Sequence, residues 1–166
     1  EEASLGTNKL LRDTDSDGLT DIEENIIYLT NPRMPDTDKD GFLDGNEVFH
    51  GYHPDGMAPN TLFTSALTQK FDAPSFSLFY PSSWALQQRG GEDDLLTIAT
   101  TGESVSITAM PKPVSQTLQE WQGAQASAAV TTASRTKKGY DALQTEDGMT
   151  VYVDAGDKVV VMSLHT

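Results

Sequence analysis

Residues 13–24, DTDSDGLTDIEE, and residues 36–47, DTDKDGFLDGNE, follow one pattern twice, 23 residues apart. Asp13 aligns with Asp36, Asp15 with Asp38, Asp17 with Asp40, Gly18 with Gly41, Asp21 with Asp44 and Glu24 with Glu47. No other feature constrains the fold as strongly. Each copy crowds carboxylates around one glycine, and like charges so close repel one another. A solvated acidic face, the usual setting of a charge run, needs neither a glycine at a fixed place nor a second copy of the same alternation. The repeat therefore points to a positive charge in the middle of each copy.

Both copies fit D-x-[DN]-x-[DN]-G-x5-E, the pattern of the EF-hand calcium loop. Calcium takes six to eight oxygens at roughly 2.3–2.6 Å. Alternate side chains at positions 1, 3 and 5 converge on one ion if the chain then turns sharply, and Gly18 and Gly41, without a Cβ, permit that turn. The expected ligands of the first loop are Asp13, Asp15, Asp17, the backbone carbonyl of Leu19, Asp21 directly or through a water, and Glu24. Those of the second are Asp36, Asp38, Asp40, the carbonyl of Phe42, Asp44 and Glu47. Magnesium demands a tighter octahedron at roughly 2.0–2.1 Å, so this many carboxylates favours calcium, two ions in all.

An EF-hand pair would flank each loop with two helices, but only Asn25–Pro35 separates these loops, and TNPRMP carries two helix-stopping prolines. One short exiting helix fits, over Asp21–Leu29, with Ile22, Ile26 and Leu29 as its apolar stripe. The second ends near 48–50, before GYHPDG. Residues 10–57 thus resemble the bacterial relatives of the thrombospondin type 3 repeat, DxDxDGxxDxxE units separated by a TNP- or TDP-type turn. The resemblance implies aspartates wrapped around calcium with little hydrophobic core, in rigid, calcium-dependent spacers of secreted or cell-surface proteins. A dockerin, a calcium-dependent protein-interaction module, carries two loops at similar spacing. Its loop positions 10 and 11 favour small hydroxyl residues, where this chain has Ile22–Glu23 and Gly45–Asn46. His50 and His53, three apart, have no third metal ligand in view and read as turn-packing residues.

Composition narrows the classes further. Residues 1–57 hold 14 acidic residues against 4 basic, most of the net charge of −14. Such a surface attracts cations and repels phosphate backbones, which excludes nucleic acid as the expected partner. The chain has no cysteine, so disulfides, thiolate catalysis and Cys-based metal sites are excluded. No run of 18 apolar residues exists, so no membrane span is expected. The start EEASLG reads as a mature form or excised fragment, with any signal or anchor outside it.

Residues 58–71 read as a linker, and from 72 to 166 the pattern changes to short alternating runs between turns. Strands are expected over 76–80, 94–100, 104–110, 139–145, 149–155 and 158–164, with turns at Gly102, Gly148 and Gly156–Asp157. Leu118, Trp121, Gln125 and Ala128 follow Ser115 at helical spacing, which predicts a helix over 115–129. The fold class is α+β: a loop-rich two-site calcium-binding module (1–57), then a small antiparallel sheet domain with one packed helix (72–166). FSLFYPSSWAL, the strand pair, the helix and the closing GYDALQTEDGMTVYV–KVVVMSL meander are similar to the PsbP-like fold family of photosystem II extrinsic proteins. That resemblance covers about 72–166 and implies a non-enzymatic docking or assembly domain. Its members usually continue into a last helix or strand beyond KVVVMSLHT, which reads as a C-terminal truncation.

Glu92, Asp93 and Asp94 read as a solvated loop, Asp154 and Asp157 as turn-shaping residues, and Trp84 and Trp121 as core. The chain lacks GxSxG, HExxH and P-loop motifs, and His165 lies too near the end for a nucleophilic triad. The expectation is a non-enzymatic, extracellular or cell-surface protein whose partner is another protein or a surface component. A dockerin-like interaction module and a calcium-stabilised enzyme are the alternatives.

Overall fold

The computed structural model describes residues 6–8, 10–56, 59–99, 101–125 and 129–166. The chain divides into two compact units: residues 1–70 with 79–83, and residues 71–78 with 84–166. The architecture is α+β, two antiparallel sheets with few helices.

The first unit is built from turns. Helix α1, Asp21–Glu23, is opened by a capping box in which the Thr20 side chain accepts from Glu23 N and the Glu23 side chain accepts from Thr20 N. It continues as a π-helical turn, Glu24–Tyr28, and ends at Leu29 in the left-handed region (φ 58°). Helix α2, Asp44–His50, ends at Gly51, φ 85°. Leu62–Thr64 then forms a 3-10 turn in which Leu62 is buried. The expected linker over 58–71 is therefore ordered where described: besides this turn it contains most of strand β1, Thr68–Asp72, which pairs with β2, Ser77–Pro81. Mixed polar composition hid β1, because TQKFD lacks the apolar alternation that marks a half-buried strand.

Among the described residues, a seven-stranded sheet lies in the second unit: β3 Ala85–Gln88, β4 Asp94–Ile98, β5 Ser104–Pro111, β6 Thr131–Arg135, β7 Asp141–Thr145, β8 Thr150–Asp154 and β9 Lys158–His165. Their order is β3-β4-β5-β9-β8-β7-β6, every neighbour antiparallel. Two meanders, β3–β5 and β6–β9, are thus joined where β5 meets β9, from Ser104↔His165 to Pro111↔Lys158. The β-branched run KVVVMSLH makes β9 a natural centre. Edge strands β3 (ALQQ) and β6 (TTASR) are largely exposed and polar, so neither stands out in the sequence.

Helix α3, Leu118–Gly123, packs on β7 and β8. It is shorter than the 115–129 expected, and its N-cap is Thr117, not Ser115. The Thr117 side chain accepts from Glu120 N at 3.2 Å and Glu120 Oε2 accepts from Thr117 N at 2.8 Å. That reciprocal pair satisfies two helix-end donors and fixes the start. Gln125 lies past the helix end, and Ala128 lies outside the described residues. Leu118 and Trp121 form a core with Leu143 and Val159, against which Tyr152 and Val161 pack. The Trp121 indole donates to Pro111 O at 2.9 Å, so its one polar atom is satisfied in the core. Trp84 is only half-buried.

Candidate metal centre

The two acidic loops share one hydrogen-bond scheme. Asp13 Oδ2 accepts from Gly18 N at 3.1 Å, and Asp36 Oδ2 from Gly41 N at 3.0 Å. Asp17 Oδ1 accepts from Leu19 N and Asp40 Oδ1 from Phe42 N, at 2.7 and 2.9 Å, which ties the seventh-position backbone to the fifth-position carboxylate. Gly18 and Gly41 have φ of 104° and 100°, a backbone closed to other residues without strain. Ser16 and Lys39, at the fourth position, also sit at positive φ, 65° and 64°. The equivalence extends upstream of the motif: Asn8 N and Asn31 N both donate at 3.1 Å to the hydroxyl of the second-position threonine, Thr14 and Thr37.

This scheme brings three groups of carboxylates together: Asp13, Asp15 and Asp17; Asp36, Asp38 and Asp40; and Asp17, Glu24 and Asp44. Within each group one oxygen per residue lies within 4.8 Å of the others, close enough to hold a metal ion. Burial of the third group, and of individual oxygens in the other two, separates them from an ordinary acidic surface. Glu24 and Asp44 are fully buried, and Asp17, Asp21 and Glu47 nearly so, yet among the described residues no ion pair joins a cation to any of them. Both oxygens of Asp15, Glu24 Oε2, Asp36 Oδ1, Asp38 Oδ2 and Glu47 Oε2 are buried without a hydrogen-bond partner. Buried anionic oxygens left unpaired are costly, and a hard cation coordinated by oxygen is the partner that fits them.

The protonation equilibria carry the same strain. Burial pushes Glu24 up to about 8, helped by Asp15, Asp17 and Asp44. It pushes Glu47 up to about 7, with Asp40 and Asp38 adding to it, and Asp15 to about 6, with Asp17 and Asp13. Asp17 and Asp44 are raised as well, again chiefly by burial.

The ninth loop position makes hydrogen bonds that the loop motif does not specify. Asp21 belongs to none of the three groups. Its carboxylate accepts from Thr14 N at 2.9 Å and from Thr14 Oγ1 at 2.8 Å, so it ties the loop entrance to the helix start. Asp44 makes the same pair with Thr37, at 2.8 and 2.6 Å, but also reaches Asp17 and Glu24 of the first loop. Glu24 likewise converges with Asp17 and Asp44. The sequence held the signal for the threonine partner, DTD in both copies, but spacing within one loop cannot show a contact between loops.

The apolar stripe expected on α1 is also absent. Ile22 and Leu29 are exposed, Ile26 is half-buried, and the buried positions are Asp21 and Glu24, one turn apart. The helix turns its charges inward because the centre of this unit is made of carboxylates. The π-helical turn explains a further irregularity, since it inserts one residue into the first exit. His53 Nδ1 accepts from Asp55 N at 3.2 Å, as Asn8 and Asn31 accept two residues on from Leu10 N and Arg33 N. His53 thus stands where a third asparagine would stand, one residue out of register. His50 Nδ1 lies 2.7 Å from Asn46 O.

In the second unit several acidic residues do face cations. Asp93 accepts from Ser75 N at 2.9 Å and from Lys158 Nζ at 3.1 Å, and the Ser75 hydroxyl, with Lys158, holds it below the usual carboxylate range. Burial raises Asp94, but hydrogen bonds from Arg89, Gly90 and Thr108 together outweigh it and leave Asp94 lowered. These two residues are therefore anchored at the start of β4 and are not the solvated loop the sequence suggested. Asp154 shapes its turn by accepting from Gly156 N at 2.8 Å and also faces the buried Lys112 at 3.4 Å. His165 Nε2 lies 2.9 Å from Ser106 Oγ in an exposed position.

No protein-family model matches the chain, and no curated protein matches it. Among the described residues no helix is long and apolar enough to cross a membrane.

Proposed function

We propose that the first unit is a calcium-binding module of the thrombospondin type 3 repeat kind, in a non-enzymatic extracellular or cell-surface protein. The observation that carries this reading is the set of buried, partnerless carboxylate oxygens on Asp15, Glu24, Asp36, Asp38 and Glu47. One ion in the first loop would be held by Asp13, Asp15, Asp17, the Leu19 carbonyl and Glu24. One in the second would be held by Asp36, Asp38, Asp40, the Phe42 carbonyl and Glu47. Asp21 and Asp44 tie each loop to its helix through Thr14 and Thr37. Bound calcium neutralises charges that otherwise repel, so its binding free energy is folding free energy for this unit. The module then acts as a cation-stiffened spacer beside a PsbP-like docking domain, whose partner is another protein or a surface component.

Calorimetric titration of chelator-stripped protein tests the reading. Calcium should bind in both loops and magnesium weakly. Replacing Asp13 and Asp15 together by Ala should remove the first-loop ion and leave the second measurable. No calcium uptake up to about 1 mM, roughly the weak limit of extracellular modules, would overturn it.

One observation favours a calcium-dependent interaction module as a second reading. Phe42, Phe49 and Tyr52 are 58%, 70% and 48% exposed, and Phe42 and Tyr52 line a groove of about 500 Å³ with Asp40, Glu47 and His50. A partner retained with calcium, released by chelator and lost on Phe42→Ala would decide for it.

A further inference from the structure

The two loop copies differ in what they show to solvent. In the first, the seventh residue, Leu19, is buried, and so is the fifth, Asp17. In the second, the seventh residue, Phe42, and the fifth, Asp40, are both exposed. One hydrogen bond, from the seventh-position N–H to the fifth-position carboxylate, fixes the pair in each copy. A leucine turned inward contributes to packing, whereas a phenylalanine left in water contributes little to the fold.

Phe42 and Tyr52 line the groove of about 500 Å³ together with Asp40, Glu47, Asn46 and Asn60. The backbone sets Tyr52 there. Gly51 takes φ 85° at the end of α2, Tyr52 N donates to Glu47 O at 2.9 Å, and Tyr52 bridges to Thr61. Both formal charges on the lining are negative, and among the described residues no lysine or arginine lines it. Glu47 is more than nine-tenths buried, and its Oε2 has no hydrogen-bond partner. The negative charge outlasts metal binding. One calcium ion held by Asp36, Asp38, Asp40 and Glu47 sets two positive charges against four negative ones, which leaves two negative.

We propose that this groove receives a basic side chain, arginine foremost, from a partner protein. It rests on the reading of the first unit as an interaction module and names the chemistry of the partner. A guanidinium is planar, stacks on aromatic faces and meets a carboxylate with two N–H donors. Phe42 and Tyr52 would supply the faces and Asp40 the carboxylate. Asn46 and Asn60 carry amide oxygens for the remaining N–H groups. A neutral guest would use the rings and gain nothing from the charge.

A nuclear magnetic resonance titration of the intact chain in excess calcium tests the groove. The probe is N-acetylarginine amide, and the control is N-acetylcitrulline amide, its uncharged near-isostere. Arginine should shift the backbone amide signals of Phe42, Asn46, Tyr52 and Asn60 and bind about tenfold more tightly than citrulline. Tyr52→Ala should abolish those shifts, and calcium uptake by the same sample reports that its first unit is folded. Arginine shifts spread over the acidic surface and unaltered by Tyr52→Ala would overturn the proposal. Equal groove shifts from both probes would overturn the cation preference and leave an interaction groove for a neutral partner. Groove shifts from neither probe would also overturn it, and the interaction reading would then be decided by its own chelator test. Should Tyr52→Ala fail to fold, the two probes on the wild type decide alone.

Discussion

The two units bury opposite kinds of side chain. In the second, Leu118, Trp121, Leu143 and Val159 are buried together, Leu95 and Ile107 are buried as well, and Asp93, Asp94 and Asp154 face Lys158, Arg89 and Lys112. In the first, the buried hydrophobics among the described residues are few, Leu19 and Leu62 with Pro32 and Pro54, while Asp17, Asp21, Glu24, Asp44 and Glu47 are also buried. A sheet with a helix on it is held by removing apolar area from water. A unit centred on carboxylates has its largest favourable term missing until a cation arrives. Conditions that strengthen one should therefore leave the other indifferent or act on it in the opposite sense.

The largest expected contrast is in pH dependence. In chelator, the folded first unit holds Glu24, Glu47 and Asp15 at about 8, 7 and 6, above their ordinary values of 4.5, 4.5 and 3.8. Between those limits its folded state binds more protons than its unfolded state, so stability falls as pH rises. Cation-free, it should melt at higher temperature at pH 5 than at pH 8. With calcium the sign reverses, because protons compete for the ligand oxygens. Asp93 and Asp94 in the second unit are lowered, so their contribution is full above about 4 and is lost only at more acid pH. Melting followed by near-ultraviolet circular dichroism at both pH values, with and without calcium, checks all three signs.

Next in size is Trp121→Ala, which removes the centre of the helix–sheet core and should destabilise the second unit by about 3–5 kcal/mol. Calcium uptake should be unaltered, and a change in the ion count would break the separation between the two kinds of stability. Gly45→Ala forces a methyl against the Asp17 carbonyl and should cost the first unit about 1–3 kcal/mol and weaken its calcium affinity, by titration, without moving the second transition. The smallest effect belongs to Thr117→Ala, which removes the cap of α3 and should lower the second transition by about 1 kcal/mol in denaturant melts.

Much of this division was legible in the residues. The repeated DxDxDG pattern located the carboxylate groups, and the alternating runs located most strands of the second unit. What escaped has physical causes. Periodicity finds apolar faces, and α1 with its π-helical continuation buries Asp21 and Glu24 instead of Ile22 and Leu29. Edge strands β3 and β6 are short and largely exposed and leave no alternation to read. The T-x-x-E signature of Thr117 and Glu120 was present, but helical spacing alone drew the helix too long at both ends. The meeting of Asp44 with Asp17 and Glu24 is a tertiary contact, and only Gly45 hinted at it.

The central claim is that the first unit depends on a cation and the second does not. Amide hydrogen exchange of the intact chain, measured in calcium and then in chelator at neutral pH, tests it directly. Protection over residues 13–50 should collapse in chelator while that of β5, β8 and β9 stays unchanged. Equal protection of residues 13–50 in both conditions would contradict the account.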